Sequence, residues 1–136
     1  MIFKSIYTKM FLMMCLLFYS RSSIAQASNP LTSIDIFFEG FHLRDSLLIP
    51  SVLTGDVQLF RTGNSDEKIP FREAMSMKKF IRIVTSRPEK PIWEERQGEP
   101  VVHQDQKLTV VWVPFRFYLD QKVLHCGYNL FTLFWN

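Results

Sequence analysis

Few residues in this chain could do chemistry, and most of them lie close together near its end. His125 offers an imidazole, a side chain able both to accept and to donate a proton, which makes it a candidate proton shuttle. Asn129 and Tyr118 offer hydrogen-bonding groups suited to orienting a ligand, and Trp112 offers an apolar ring. Cys126 follows His125 directly, but adjacent strand residues point to opposite faces, so a thiol–imidazole dyad is excluded. His42, His103 and His125 show neither H-x-H nor H-E-x-x-H spacing, which leaves no metal site to expect. The sequence has no glycine-rich phosphate loop, and nothing in it calls for a cofactor.

These groups are set by a hairpin. Lys107–Leu119 and Lys122–Trp135 alternate like strands around Asp120-Gln121. If those two residues are the turn, Tyr118 faces Val123, Arg116 faces His125, Pro114 faces Gly127 and Trp112 faces Asn129, all on one side of the sheet. Gly127 then leaves a gap between His125 and Asn129, each about 7 Å away along the strand, where a ligand can approach the backbone. The opposite side carries Val111, Val113, Phe115, Phe117, Leu124, Cys126, Tyr128 and Leu130 and is apolar. Pro114 lacks an amide hydrogen, so a bulge is expected in the strand before it.

Upstream, the periodicity is helical. Ile34, Phe37, Phe38 and Phe41 form an i, i+3, i+4, i+7 stripe behind Thr32 and Ser33 as candidate N-caps. Asp45 caps a second helix over Ser46–Leu53, which Pro50 kinks or shortens. Asp56–Arg61 is strand-like, and Thr62–Lys68 is a polar loop with its turn at Gly63-Asn64. Ser76 caps a third helix, striped by Met77, Phe80, Ile81 and Val84 and ending near Ser86. Ile92–His103 is a strand interrupted at Gly98-Glu99-Pro100. Three helical segments and a run of antiparallel strands predict an α+β domain with its helices on one sheet face.

Residues 1–27 read as a secretory signal: Lys4 and Lys9, then the apolar Met10–Tyr19, then Ala25-Gln26-Ala27 as the cleavage pattern. The apolar run is about half the length of a spanning helix, so no stable membrane anchor is expected. Three of the sixteen basic residues, Lys4, Lys9 and Arg21, lie in that segment with none of the thirteen acidic ones, which leaves residues 28–136 formally neutral. The calculated pI near 9.0 therefore gives no ground for nucleic-acid binding. Cys15 leaves with the signal. Cys126 then remains alone, and an exported domain must hold together by packing.

The string Val111-Trp112-x-Pro114-Phe115-x-Phe117-Tyr118-Leu119, with His125-Cys126-Gly127-x-Asn129-x-Phe131-x-Leu133, resembles exported bacterial members of the nuclear transport factor 2-like superfamily of SnoaL-like and lumazine-binding type. Agreement extends to Phe37-Phe38-x-Gly40-Phe41-His42-x-Arg44-Asp45 and to Phe80-Ile81. The resemblance implies a cone-like fold in which a curved antiparallel sheet wraps three N-terminal helices and encloses a pocket. It implies that His125, Asn129, Trp112 and Tyr118 look inward beside Gly127, with Phe37, Phe38 or Phe41 closing the pocket from the first helix; His42, on the same helix, is placed to reach it. Relatives often pair through the outer sheet face, here expected to carry Phe115, Phe117, Leu124 and Tyr128. They also turn once more and add a final strand, where this chain stops at Phe134-Trp135-Asn136. The family holds isomerases, dehydratases, polyketide cyclases and non-enzymatic binders, so shape does not fix activity. The pocket face has few ionisable groups, which favours a periplasmic or secreted homodimer binding a small, partly apolar molecule. An isomerase or dehydratase using His125, or a truncated member without function, are the alternatives.

Overall fold

A computed structural model describes residues 29–65 and 67–134; the predicted signal segment lies outside the described residues. The first helix, α1 (Pro30–Leu43), begins earlier than expected. Asn29, not Thr32 or Ser33, is its cap: Asn29 Oδ1 accepts the Leu31 amide at 3.0 Å, and Pro30 sits where a missing N–H costs nothing. The second helix starts later than expected: Asp45 Oδ1 accepts the amides of Leu47 (2.7 Å) and Leu48 (2.9 Å), but the cap position falls on Leu47, whose side chain makes no capping bond. Pro50 leaves that helix, α2, only one turn long, Leu48–Ser51. The third, α3 (Met77–Ser86), has Ser76 Oγ accepting the Lys79 amide.

Between α2 and α3 the chain forms a two-stranded hairpin, β1 (Gln58–Asn64) and β2 (Pro70–Ser76), separate from the main sheet. Gly63 and Asn64 lie inside β1, and the reversal runs from Ser65, whose amide donates to the Ile69 carbonyl at 2.9 Å. The predicted turn at Gly63-Asn64 is thus displaced by strand pairing, Gly63 facing Phe71 and Asn64 facing Pro70.

The main sheet comprises β3 (Trp93–Gln97), β4 (Val101–Gln104), β5 (Leu108–Leu119) and β6 (Lys122–Phe134). All pairings are antiparallel, and β5 is central, with β6 on one side and β3 and β4 in tandem on the other. The break between β3 and β4 falls opposite Pro114, as the missing amide required, and the Gly98 amide donates to the Pro114 carbonyl at 2.8 Å. Asp120 and Gln121 form the β5–β6 turn with φ of 46° and 67°, the left-handed pair that a two-residue hairpin demands. Asp120 is further fixed by Oδ1 accepting the Ile92 amide at 2.9 Å.

One residue in β6 alters the predicted register. Leu119 pairs with Lys122 and Tyr118 with Val123, as expected, but the register then shifts and Phe117 pairs with His125. Leu124 is the extra residue of this bulge. Beyond it Phe115 faces Gly127, Val113 faces Asn129 and Trp112 faces Leu130. Because strand side chains alternate, this single insertion moves every later β6 residue to the other side relative to β5.

The helices cover one side of the sheet, which makes this an α+β fold. Ile34 packs on Val111 and Val113, with Leu31, Phe38, Phe131 and Leu133 around them. Phe41, Ile49 and Val84 form the second part of the core, joined by Phe80, Trp93 and Phe117. Phe37 and Phe80 stack with centroids 5.8 Å apart, linking α1 to α3. Gly40 is buried where α1 meets α2: a Cβ there would lie 2.8 Å from Ile49 Cγ1 and 2.9 Å from the Ile49 amide nitrogen. No helix among the described residues is long and apolar enough to cross a membrane.

Candidate functional site

The polar groups of the helix-facing side gather at one end of the sheet. Register places Glu95 and His125 on either side of Phe117, two strand spacings or about 10 Å apart at the backbone. The His125 ring stacks on Phe117 with centroids 5.1 Å apart and 15° between planes, and meets Phe115 edge-on at 5.7 Å. Asn129, two repeats of the pleat further along β6, sends its Nδ2 to Glu95 Oε1 at 2.6 Å. Gln97 Nε2 donates to the same oxygen at 2.8 Å. Glu95, Gln97 and Asn129 are half-buried and His125 is exposed, so this cluster remains within reach of a ligand. Gly127 lies between His125 and Asn129 over the Phe115 ring, where a Cβ would stand 3.0 Å from Phe115 Cε1.

His125, Gly127 and Asn129 therefore share one face, as the sequence suggested, but Trp112 and Tyr118 do not join them. The Leu124 bulge puts Trp112 on the outer face, stacked on Tyr128 with centroids 5.0 Å apart. Tyr118 is outside as well, with the Arg96 guanidinium 4.2 Å from its ring centroid. For the same reason Phe115 and Phe117, expected outside, are inside; Phe117 contacts Phe41 and Trp93. Leu124 and Tyr128 remain exposed. Cys126, a free and exposed thiol, faces Arg116 on the outer side, away from His125.

Phe38 is core material: its ring meets Phe131 at 6.0 Å and Phe41 at 6.3 Å, edge-on in both cases. His42 sits at the free edge of β3, where its Nε2 accepts the Glu95 amide at 3.0 Å. That bond requires an unprotonated nitrogen. Burial of the ring holds the His42 pKa below its ordinary value, and this outweighs the attraction of Glu94.

Glu95 and Gln97 were missed by the sequence reading. Their alternation with Trp93 in Trp-Glu-Glu-Arg-Gln was the available signal, since Trp93 marks the buried side and every second residue shares it. No group of three or more His, Cys, Asp or Glu among the described residues could hold a metal ion. Comparisons with protein-family models, with curated proteins and with solved structures found no match to this chain.

Proposed function

We propose that residues 28–136 form a small-molecule-binding domain of nuclear transport factor 2-like type, exported and cleaved near Ala27. Its cone-like sheet would hold a partly apolar ligand on the helix-facing side, over Gly127. The observation that carries this reading is the Asn129–Glu95 hydrogen bond, a polar bar at a half-exposed position beside the aromatic floor of Phe115 and Phe117. Such a site favours a flat ligand with one hydrogen-bonding edge and an apolar body. The reading invokes no cofactor and no nucleic acid. It pairs two copies through the outer sheet face, supported by the exposed Trp112, Tyr128 and Leu130 there. The experiment is native mass spectrometry of the purified chain for co-purified ligand, with a thermal-shift screen against a broad metabolite panel. A hit weakened by Asn129→Leu supports the reading; no ligand and no shift across the panel removes it.

A second reading rests on the placement of Glu95 and His125 on opposite sides of Phe117. An imidazole and a carboxylate so spaced could move a proton between two positions of a bound substrate, as an isomerase or dehydratase requires. Turnover found in such a screen and unchanged by His125→Ala would rule it out.

A further inference from the structure

Arg87 follows α3 and is drawn into the protein, only 8% exposed. Its guanidinium lies near the rings of Phe41 and Trp93, 4.7 and 5.1 Å from their centroids. Nη2 donates to the carbonyls of Phe41 (2.8 Å) and His42 (3.3 Å). Those carbonyls lie in the last turn of α1, where the Phe41 carbonyl also receives the Arg44 amide at 3.4 Å, so Arg87 adds side-chain bonds that help close that helix. This explains half of the guanidinium. Its charge is left without an opposite charge among these partners, and Nη1 is buried with no hydrogen-bond partner among the described residues.

A second guanidinium adds to the imbalance. Arg44 occupies the C-cap of α1 with φ of 60°, and its Nη1 donates to the Arg87 carbonyl at 3.2 Å. Together with His42, Glu89, Ile92 and Trp93, the two arginines line an open cleft of about 190 Å³. Glu89 is the one carboxylate in that lining. It lies 3.2 Å from Arg44 Nη2, but its side chain is 84% exposed, and so exposed a pair holds weakly and exchanges readily. The carboxylates on the neighbouring strand are occupied, Glu94 by Arg96 and Glu95 by Asn129 and Gln97. Burial, and then the charge of Arg44, lower the Arg87 pKa, the expected mark of a cation desolvated beside another cation.

We propose that this cleft binds a small oxyanion, a carboxylate or phosphate group, with Arg44 as its direct contact and Arg87 as the charge beneath it. A guanidinium presents paired donors that match the oxygens of either group. The volume is several times the roughly 30 Å³ share of a water molecule, enough for such a group and a short substituent. Glu89 acts as the competitor that the anion displaces. The site is separate from the Glu95–Asn129 cluster and stands whether or not that cluster binds a ligand.

The test uses the full-length chain with sodium acetate and sodium phosphate as probes and sodium chloride at matched ionic strength as reference. The unfolding temperature should rise relative to chloride, by about 5 °C at ten times the dissociation constant. The Arg44 and Arg87 side-chain NMR signals should shift in a saturable way. Substituting Arg87 would also uncap α1, so the decisive variants lie elsewhere. Arg44→Gln should abolish the response, and Glu89→Gln should tighten binding roughly threefold by freeing Arg44. A response to acetate alone assigns a carboxylate, to phosphate alone a phosphate, and to both a general oxyanion site. An equal response in wild type and Arg44→Gln, or no gain in Glu89→Gln, overturns the proposal.

Discussion

Asn129 Nδ2 reaches Glu95 Oε1 at 2.6 Å although all of β5 lies between their strands. The contact ties the outer strand β6 to β3 over the aromatic floor, on the side that the helices cover. It also holds one carboxylate oxygen that already receives Gln97, so the three side chains act as one unit.

That unit should show coupled energetics. Asn129→Ala and Glu95→Ala should each destabilise the fold by about 1 kcal/mol, given their half-exposed positions. Together they should cost clearly less than the two singles added. Urea unfolding of the four proteins measures this, and strictly additive values would show that the hydrogen bond contributes nothing.

Gly127→Ala probes the gap between His125 and Asn129. Its Cβ would stand 3.0 Å from a Phe115 ring atom, a contact that a half-exposed ring relieves by turning. Stability should change by no more than about 1 kcal/mol, while the His125 ring signals in NMR shift because Phe115 touches that ring. Unmoved His125 signals would contradict the geometry.

Gly40→Ala should behave differently. Here the new methyl would meet Ile49 backbone as well as side chain below 3.0 Å, in a buried helix contact that has no room to turn. A loss of about 3 kcal/mol is expected, at the upper end of overpacking costs, and calorimetry would read it. A neutral result would mean that α2 can slide along α1.

His42 makes stability depend on pH in a defined sense. Its folded pKa lies below the ordinary 6.5, so the unfolded chain binds a proton that the folded chain resists. Stability should therefore fall as pH drops from about 6.5 through the folded pKa, and level off below it. Denaturant titrations at several pH values should show this slope in the wild type and a smaller one in His42→Gln. Equal slopes would assign the dependence to other groups.

On the outer face, Trp112→Arg with Tyr128→Arg removes the stacked pair without touching the helix-facing cluster. Sedimentation should show two-copy association in the wild type and single chains in the variant, with unchanged urea stability to within about 0.5 kcal/mol. A wild type that sediments as single chains at every concentration would remove the pairing.

The helices were legible because each repeats one apolar face: Ile34, Phe37, Phe38 and Phe41 in α1, and Met77, Phe80, Ile81 and Val84 in α3. Ser76 was legible as a cap for its side-chain oxygen, whereas Asp45 accepts amides ahead of a helix that begins two residues later than expected. The strand Pro70–Ser76 was not, since most of its residues are exposed and no alternation survives where neither side is buried. The site was half legible. Leu124 is apolar like its neighbours, and the alternation reads equally well with or without a bulge there, so only three-dimensional packing decides which side Trp112 joins. Arg87 gave no signal, because its role depends on the carbonyl of Phe41, 46 residues earlier in the chain.

The separateness of the β1–β2 hairpin has a consequence for how the molecule opens. Two strands with mostly exposed side chains add little buried surface of their own, whereas β5 and β6 are tied to α1 through Ile34, Val111, Val113 and Phe131. Amide protons of residues 58–76 should then exchange with solvent long before those of residues 108–119, through openings that leave the rest of the fold intact. Limited proteolysis should cut first at the tip of that hairpin, releasing a nicked protein that still carries both candidate binding sites.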